Sequence, residues 1–146
     1  MHFLQSLLAN KAITIPVFAW FIAQLIKVIG VIVKEKKLDF TRFIGSGGMP
    51  SSHASFIVSL TTVAGKNRGW DSVEFGIAVA VSLIVMYDAA GVRRAAGLQA
   101  KVLNELIFSH DHKIHLDKKL KELLGHTPFE VIMGAILGMF LGYTLG

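Results

Sequence analysis

Four apolar stretches separated by polar segments dominate this sequence and limit the folds open to it. They run from Ile13 to Val33, from Ser51 to Ala64, from Val73 to Ala90, and from about Pro128 to Leu145. A helix needs about 20 predominantly apolar residues to cross the hydrocarbon core, and helices satisfy their own backbone polar groups there. The pattern therefore predicts an all-α integral membrane bundle of about four transmembrane helices, the second of them rather short.

The composition agrees with a membrane protein. Hydrophobic residues make up 53% of the 146 residues and charged residues only 17%, with a mean hydropathy of +0.57. This length predicts a single membrane-embedded domain over residues 1–146. Cysteine is absent, which excludes a disulfide framework and thiolate chemistry.

Shorter segments outside the four stretches are predicted to be helical as well. Residues 3–10 carry apolar side chains at helical spacing and predict an amphipathic helix at the membrane surface. Residues 92–108 and 116–124 predict helices on the cytoplasmic side. In the last stretch Gly134, Gly138 and Gly142 recur every four residues, which indicates a close-packing face.

The basic residues are distributed unevenly between the two predicted sides of the membrane. With four spans, loops 34–50 and 91–126 share one side and hold eleven of the 15 Lys and Arg residues: Lys34, Lys36, Lys37, Arg42, Arg93, Arg94, Lys101, Lys113, Lys118, Lys119 and Lys121. The positive-inside rule makes this side cytoplasmic and places both termini outside, in a bacterial inner membrane. The net charge of +5 then favours anionic phospholipids as partners rather than nucleic acid.

Residues 45–55 form a glycine- and serine-rich segment that leads into the second stretch. Gly47 and Gly48 allow a ligand to approach the backbone closely, and Pro50 suits the first turn of a helix. The helix amides and the hydroxyls of Ser51 and Ser52 would then form an anion site suited to phosphate. The alternative interpretation is a capped helix start with His53 beside it by chance.

The four-span topology brings several polar groups to the same membrane face as this segment. Arg93 and Arg94 end the third span, and His126 and Glu130 begin the fourth. An arginine pair placed there is also typical of the cytoplasmic end of a span. The first stretch contains Gln24 and Lys27, and a lysine in that position either snorkels to the interface or faces the bundle interior.

These residue types together favour phosphoryl transfer. Glu130 lies four residues after His126, on the same helix face, and could fix the imidazole tautomer so that His126 attacks phosphorus. His53 could protonate the leaving oxygen.

Positive side chains are needed to hold the phosphate in such a reaction. Arg93 or Arg94 could bind it through a planar fork, with added charge from Lys101 and Arg42. Asp88 is expected mainly to pair with one of the arginines. The histidine-rich residues 109–115 match no strong metal-binding spacing, so no metal site is predicted.

The motifs resemble those of a known superfamily. Pro50-Ser51-Ser52-His53 is similar to the Pro-Ser-Gly-His signature of the type 2 phosphatidic acid phosphatases and vanadium haloperoxidases, and His126-x-x-x-Glu130 is similar to their last motif. Three longer blocks, at residues 47–53, 87–94 and 123–128, resemble the small divergent branch found in bacteria and plastid lineages.

The resemblance implies a helical bundle that dephosphorylates lipid phosphates without a metal or other cofactor. It implies His126 as nucleophile, His53 as acid, Ser51 as phosphate ligand and Glu130 as the residue that orients His126. The sequence departs from the superfamily pattern because it lacks the Arg-Pro pair of the first motif. Leu120 stands where the last motif has arginine, so the phosphate-binding cations must come from elsewhere.

The resulting hypothesis is a membrane lipid phosphatase that works through a phosphohistidine at the cytoplasmic face. Phosphatidylglycerophosphate, phosphatidate and polyprenyl pyrophosphate are all plausible substrates. Two alternatives are a non-catalytic membrane protein that binds phosphate or an anionic lipid, and a small transporter or complex subunit. A homodimer through the glycine face is a further expectation.

Overall fold

The structure is a computed structural model that describes residues 2–35, 48–109, 120 and 125–146. Within these residues all regular structure is helical, as the sequence predicts. The helices are α1 (His2–Ala9), α2 (Lys11–Glu35), α3 (Ser52–Arg68), α4 (Val73–Ala90), α5 (Val92–Ser109) and α6 (Pro128–Leu145). The helix predicted at 116–124 lies outside the described residues, apart from Leu120.

Helix α3 occupies the centre of the bundle, where it packs against α2, α4 and α6. Its buried side chains are mostly small or hydroxyl-bearing. The hydroxyls donate to backbone carbonyls, either inside α3, as from Thr62 to Val58 (2.8 Å), or across to α2, as from Ser55 to Ala19 (3.2 Å). Neighbouring protein therefore satisfies the polar groups that this helix carries into the core.

Three glycines of α6 allow this helix to lie directly on the backbone of α3. A Cβ atom added at Gly134, Gly138 or Gly142 would collide with the carbonyl oxygen of Ser51, Ser55 or Ser59, respectively. Both sets of residues recur every four positions, so the contact repeats at each turn of the two helices. This arrangement confirms the close-packing face predicted from the glycine spacing, but the face is occupied within the chain, so these glycines are not available for the homodimer contact that the sequence suggested.

Three segments of the described chain are long and apolar enough to cross a membrane: Lys11–Val33, Val73–Ile107 and Pro128–Leu145. The second continues from α4 into α5. Helix α3 is not among them, so the predicted count of four spans is not confirmed. Helix α3 has 17 residues, fewer than any of these segments, and it carries hydroxyls and glycine where a lipid-facing helix carries large apolar side chains.

The outer helices expose the apolar surface that lipid would cover. Large hydrophobic side chains on α2, α4 and α6 point away from the bundle, among them Phe21, Leu83, Ile84, Ile132 and Phe140. Exposed apolar area on this scale marks a membrane-facing surface rather than a water-facing one. Helix α1 likewise exposes Phe3, Leu4 and Leu8.

Leu120 and Gly125, which precede α6 in sequence, both contact α5. The side chain of Asn104 on α5 donates to the carbonyl of Leu120 (2.8 Å) and accepts from its N–H (2.9 Å). Gly125 then lies with φ of +87° directly against the backbone of Arg93 and Arg94, where no side chain would fit. The next residue, His126, therefore meets the junction between α4 and α5.

Candidate active site

The start of α6 brings the imidazole of His126, which precedes the N-cap, into contact with a carboxylate of the first turn. Thr127 caps the helix, Pro128 follows it, and Glu130 completes a capping box by accepting the Thr127 backbone N–H (3.0 Å). The same carboxylate oxygen lies 3.2 Å from Nδ1 of His126. With a carboxylate at this distance, Nδ1 carries the proton and donates it, which leaves a lone pair on Nε2.

His126 is buried at this helix start. Its side chain is only 2% exposed, and its backbone N–H donates to the carbonyl of Ala89 on α4 (2.9 Å). Nε2 has no hydrogen-bond partner among the described residues. A buried ring nitrogen without a partner is uncommon and calls for an explanation, such as a ligand or a catalytic role.

The surroundings of His126 favour the neutral imidazole. The residue precedes the membrane-spanning segment of α6, and burial lowers its pKa because a charged ring loses its hydration. The positive charges of Lys27 and Arg93 lower this pKa as well, whereas Glu130 opposes them. The net shift is downward, so the ring is a base or nucleophile over a wider pH range than an ordinary histidine.

The start of α3 lies beside this pair, but one residue later than the sequence indicated. Ser51 is the N-cap and α3 begins at Ser52, so Pro50 precedes the cap and the prediction that it occupies the first helical turn is wrong. The Ser51 backbone N–H donates to the carbonyl of Glu130 (2.9 Å), which ties the two helix starts together. The fully buried Ser51 hydroxyl accepts the N–H of Ala54 (3.4 Å). Ser51 thus serves as a helix cap in this structure.

His53, in the first turn of α3, faces His126 across a short gap. The two ring centroids lie 6.3 Å apart and the ring planes are inclined at 61°. His53 is exposed, whereas His126 is buried. The structure thus brings together the two histidines that the sequence analysis paired, one on each helix start.

Lys27 of α2 is a member of this cluster that the sequence analysis did not assign to the site. It is 5% exposed, and its Nζ donates to the Ser52 hydroxyl (3.3 Å). Gly48 lies over its alkyl stem, and a Cβ there would be 3.9 Å from Cγ and Cδ of Lys27. The sequence signal for Lys27 was an ionisable residue inside an apolar stretch. In the structure its side chain faces the bundle interior and does not reach towards the membrane interface.

The other predicted cations lie at varying distances from the cluster. Arg93 pairs with Asp88, as expected, with both side chains partly exposed, and its charge still reaches His126. The Arg94 side chain is exposed. Lys101 lies almost two turns further along α5 and pairs with Glu105 at 3.9 Å. Gly47 and Arg42 lie outside the described residues.

The fold and this cluster define a class of protein: a helical membrane protein with a buried histidine–carboxylate pair and a lysine at one end of its bundle. The sequence matches the family described as "Divergent PAP2 family" over residues 8–141. It is also 37% identical over 153 aligned positions to the "Uncharacterized membrane protein YuiD" of Bacillus subtilis (strain 168), and the match covers 97% of each chain. The chain therefore belongs to the divergent PAP2 family, as its motifs predicted. No solved structure matches it significantly.

Proposed function

We propose that this protein hydrolyses a lipid phosphate through a phosphohistidine formed on His126. The observation that carries the proposal is the state of the His126 ring: Nδ1 is held by Glu130 at 3.2 Å, and Nε2 has no partner in the described chain. A histidine oriented in this way by a carboxylate is an activated nucleophile. Membership of the divergent PAP2 family supports phosphatase-related chemistry.

In the first step Nε2 of His126 attacks phosphorus and the bond from phosphorus to the lipid oxygen breaks. His53 gives a proton to that oxygen from its protonated form, which predominates only below a pKa that partial burial and the nearby positive charges lower, so the lipid leaves as a neutral alcohol. A near-attack geometry needs about 3–3.5 Å between reacting atoms, and the acid must lie within about 2.6–3.2 Å of the leaving oxygen. The two rings, with centroids 6.3 Å apart, would lie on either side of the phosphoryl group.

In the second step water attacks the phosphohistidine and the bond from phosphorus to nitrogen breaks. His53, now neutral, accepts the proton from the water, and inorganic phosphate leaves. This step restores both histidines to their starting protonation states. No metal is needed, because the leaving oxygen is neutralised by a proton and the phosphate charge by the surrounding side chains.

The phosphate oxygens would be held by Lys27, Arg93 and the start of α3. Lys27 supplies a buried ammonium that already points at Ser52, the first residue of α3. The first amides of a helix have no partner within the helix, and its dipole favours an anion at that end. Arg93 would share its guanidinium between Asp88 and the substrate phosphate.

Burial of His126 has a consequence for substrate entry. Since its side chain is only 2% exposed, phosphate reaches Nε2 only when neighbouring groups move aside. Entry would also exclude water from the site, which strengthens the electrostatic interactions there. We place the site at the cytoplasmic face of a bacterial inner membrane, on the basis of the positive-inside rule.

The experiment that tests the proposal is phosphate release by purified protein in detergent. Phosphatidylglycerophosphate, phosphatidate and a polyprenyl pyrophosphate would be offered to the wild type and to His126→Ala. Wild-type turnover of at least one substrate, lost in His126→Ala while the variant remains folded, supports the proposal. Equal rates for the two proteins, or binding without turnover by the wild type, would reject it.

A further inference from the structure

Three helices meet at one buried apolar contact beside the candidate active site. Ala54 of α3, Ala89 of α4 and Val131 of α6 pack together there and are buried. The backbone N–H of His126 also donates to the Ala89 carbonyl (2.9 Å), which ties the end of α4 to the start of α6. This contact therefore fixes the levels of the three helix ends relative to one another.

An ionisable residue directly precedes each of these three apolar residues in the sequence. They are His53 on α3, Asp88 on α4 and Glu130 on α6. Because successive helix residues are only about 1.5 Å apart along the axis, all three lie close to the level of the buried contact. Glu130 already has a role, since it holds Nδ1 of His126 at 3.2 Å. Asp88 is the carboxylate of this group that the two steps proposed above do not use.

Asp88 is connected to the site through an arginine. Its Oδ2 accepts a hydrogen bond from Nε of Arg93, the cation proposed to bind the substrate phosphate as well. The two side chains are 38% and 49% exposed, respectively. Ion pairs exposed to this degree are weak, so Arg93 can turn towards a phosphate at little cost, and Asp88 then loses part of its partner.

Charged groups from every neighbouring element act on His53. Burial has the largest effect on its pKa and lowers it. The positive charges of Arg93 on α5, His126 before α6 and Lys27 on α2 lower this pKa further. Among these described groups, Asp88 on α4 is the one that raises it. A general acid must hold its proton at the working pH, so the site benefits from this negative charge.

On the basis of this geometry and of the function proposed above, we infer that Asp88 is a positioning residue that keeps His53 protonated for its role as acid. Glu130 has the corresponding part for the nucleophile, His126, so each histidine of the site has its own carboxylate. When Arg93 turns to the substrate phosphate, more of the Asp88 charge acts on His53, at the moment when the acid is needed.

The test is an NMR titration of the His53 ring in the full chain in detergent, which needs no substrate and no turnover. Isotopically labelled histidine would be used, and the His53 signal would be assigned by its loss in His53→Ala. We expect Asp88→Asn to lower the pKa of His53, because a negative charge beside the ring is removed. An unchanged or higher His53 pKa in this variant would overturn the inference.

A matched control removes a similar carboxylate elsewhere. Glu74 also forms a partly exposed pair with an arginine, Arg68, but at the far end of α3. Glu74→Gln should therefore leave the pKa of His53 at its wild-type value. An equal decrease in both variants would show that the effect of Asp88 is not local to His53.

A double-mutant cycle separates direct action of Asp88 on His53 from action through Arg93. Asp88→Asn would be introduced into the wild type and into Arg93→Gln, which lacks the cation. We expect the pKa of His53 to fall in both backgrounds, because the carboxylate acts on the ring itself. No decrease in the Arg93→Gln background would mean that Asp88 only neutralises Arg93, which contradicts the inference.

Turnover measurements link this interaction to the proposed function. At about pH 8, first-turnover release of the lipid alcohol should be about two- to fivefold slower in Asp88→Asn, the size of an interaction between partly exposed charges. Wild-type turnover with an unchanged His53 pKa in Asp88→Asn rejects only the role of Asp88. A direct effect of Asp88 on His53, without turnover of any lipid phosphate by the wild type, supports the pairing and rejects catalysis.

Discussion

Ionisable residues lie at both ends of α3, but in opposite environments. At its C-terminal end Lys66 donates to the carbonyl of Tyr143 (2.7 Å), and Arg68 pairs with Glu74 at 2.8 Å with side chains 65% and 51% exposed. At its N-terminal end Lys27 and His126 are 5% and 3% exposed. Both ends therefore join α3 to its neighbours through charged or polar groups. Only the N-terminal end buries those groups away from solvent.

This difference indicates which end has a function beyond folding. Exposed ion pairs contribute about 0–1 kcal/mol and need no further explanation. Burying an ammonium and an imidazole is costly, and apolar residues of similar volume would serve stability as well or better. Ionisable residues inside a membrane bundle accordingly point to a functional site. Substitutions at the buried end should therefore impair activity, whereas substitutions at the exposed end should not.

Substitution of His53 should produce the largest difference, and one that depends on the leaving group. We expect His53→Ala to lower the rate of lipid phosphate hydrolysis by about 10²–10⁴-fold, the usual contribution of a general acid. An aryl phosphate such as p-nitrophenyl phosphate needs no proton on its leaving oxygen and should be affected much less. Because His53 also serves the second step with either substrate, the comparison is made on release of the leaving group in the first turnover, and equal losses there would remove His53 from the role of acid.

Removal of the buried lysine should change both the rate and its pH dependence. Lys27→Met should reduce kcat/KM by about a hundredfold, as expected for loss of one preorganised charge at the phosphate. The Lys27 charge lowers the pKa of His126, so its removal raises that pKa. The acid limb of the pH profile, which lies below the ordinary histidine value of about 6.5 in the wild type, should therefore move to higher pH. An acid limb that stays at the same pH or moves to lower pH would show that the Lys27 charge does not lower the pKa of His126.

A third prediction concerns the packing that brings the two helix starts together. Gly138→Ala would place a methyl group against the Ser55 carbonyl and should destabilise the bundle by about 1–3 kcal/mol. Gly76→Ala is the matched control, since a Cβ there meets nothing within 4 Å, and it should stabilise α4 by roughly 0.5–1 kcal/mol. Thermal unfolding in detergent distinguishes them. Equal shifts would show that α6 does not depend on close contact with α3.

The smallest effect is expected at the exposed end of α3. Arg68→Ala breaks the pair with Glu74 and should cost less than about 1 kcal/mol, with unchanged phosphate release. The same unfolding and turnover assays apply. A loss of activity comparable to that of Lys27→Met would abolish the distinction between the two ends.

Local patterns in the sequence predicted the features that depend on one helix. The four-residue spacing predicted the contact of His126 with Glu130, but His126 precedes the N-cap, so the contact is made through the capping-box glutamate rather than along one helix face. The glycines of α6 are a second case, since their spacing marks a small-residue stripe whatever partner it meets.

Features that depend on how several helices pack could not be predicted in this way. The orientation of Lys27 is set by which side of α2 meets α3, and the sequence left both orientations open. Hydropathy likewise did not settle the position of α3, because a helix enclosed by other helices can carry hydroxyls that a lipid-facing helix cannot. The capping role of Ser51 depends on where the chain enters α3, which a proline and several glycines leave undefined.

The central claim is that His126 becomes phosphorylated during turnover. The most direct measurement is to mix the protein with a lipid carrying labelled phosphate, quench rapidly in alkali, and map the labelled residue by mass spectrometry. We expect an acid-labile, alkali-stable phosphate on His126 in the wild type and no labelled protein in His126→Ala. Release of phosphate without any labelled protein, or a label on a residue other than His126, would contradict it.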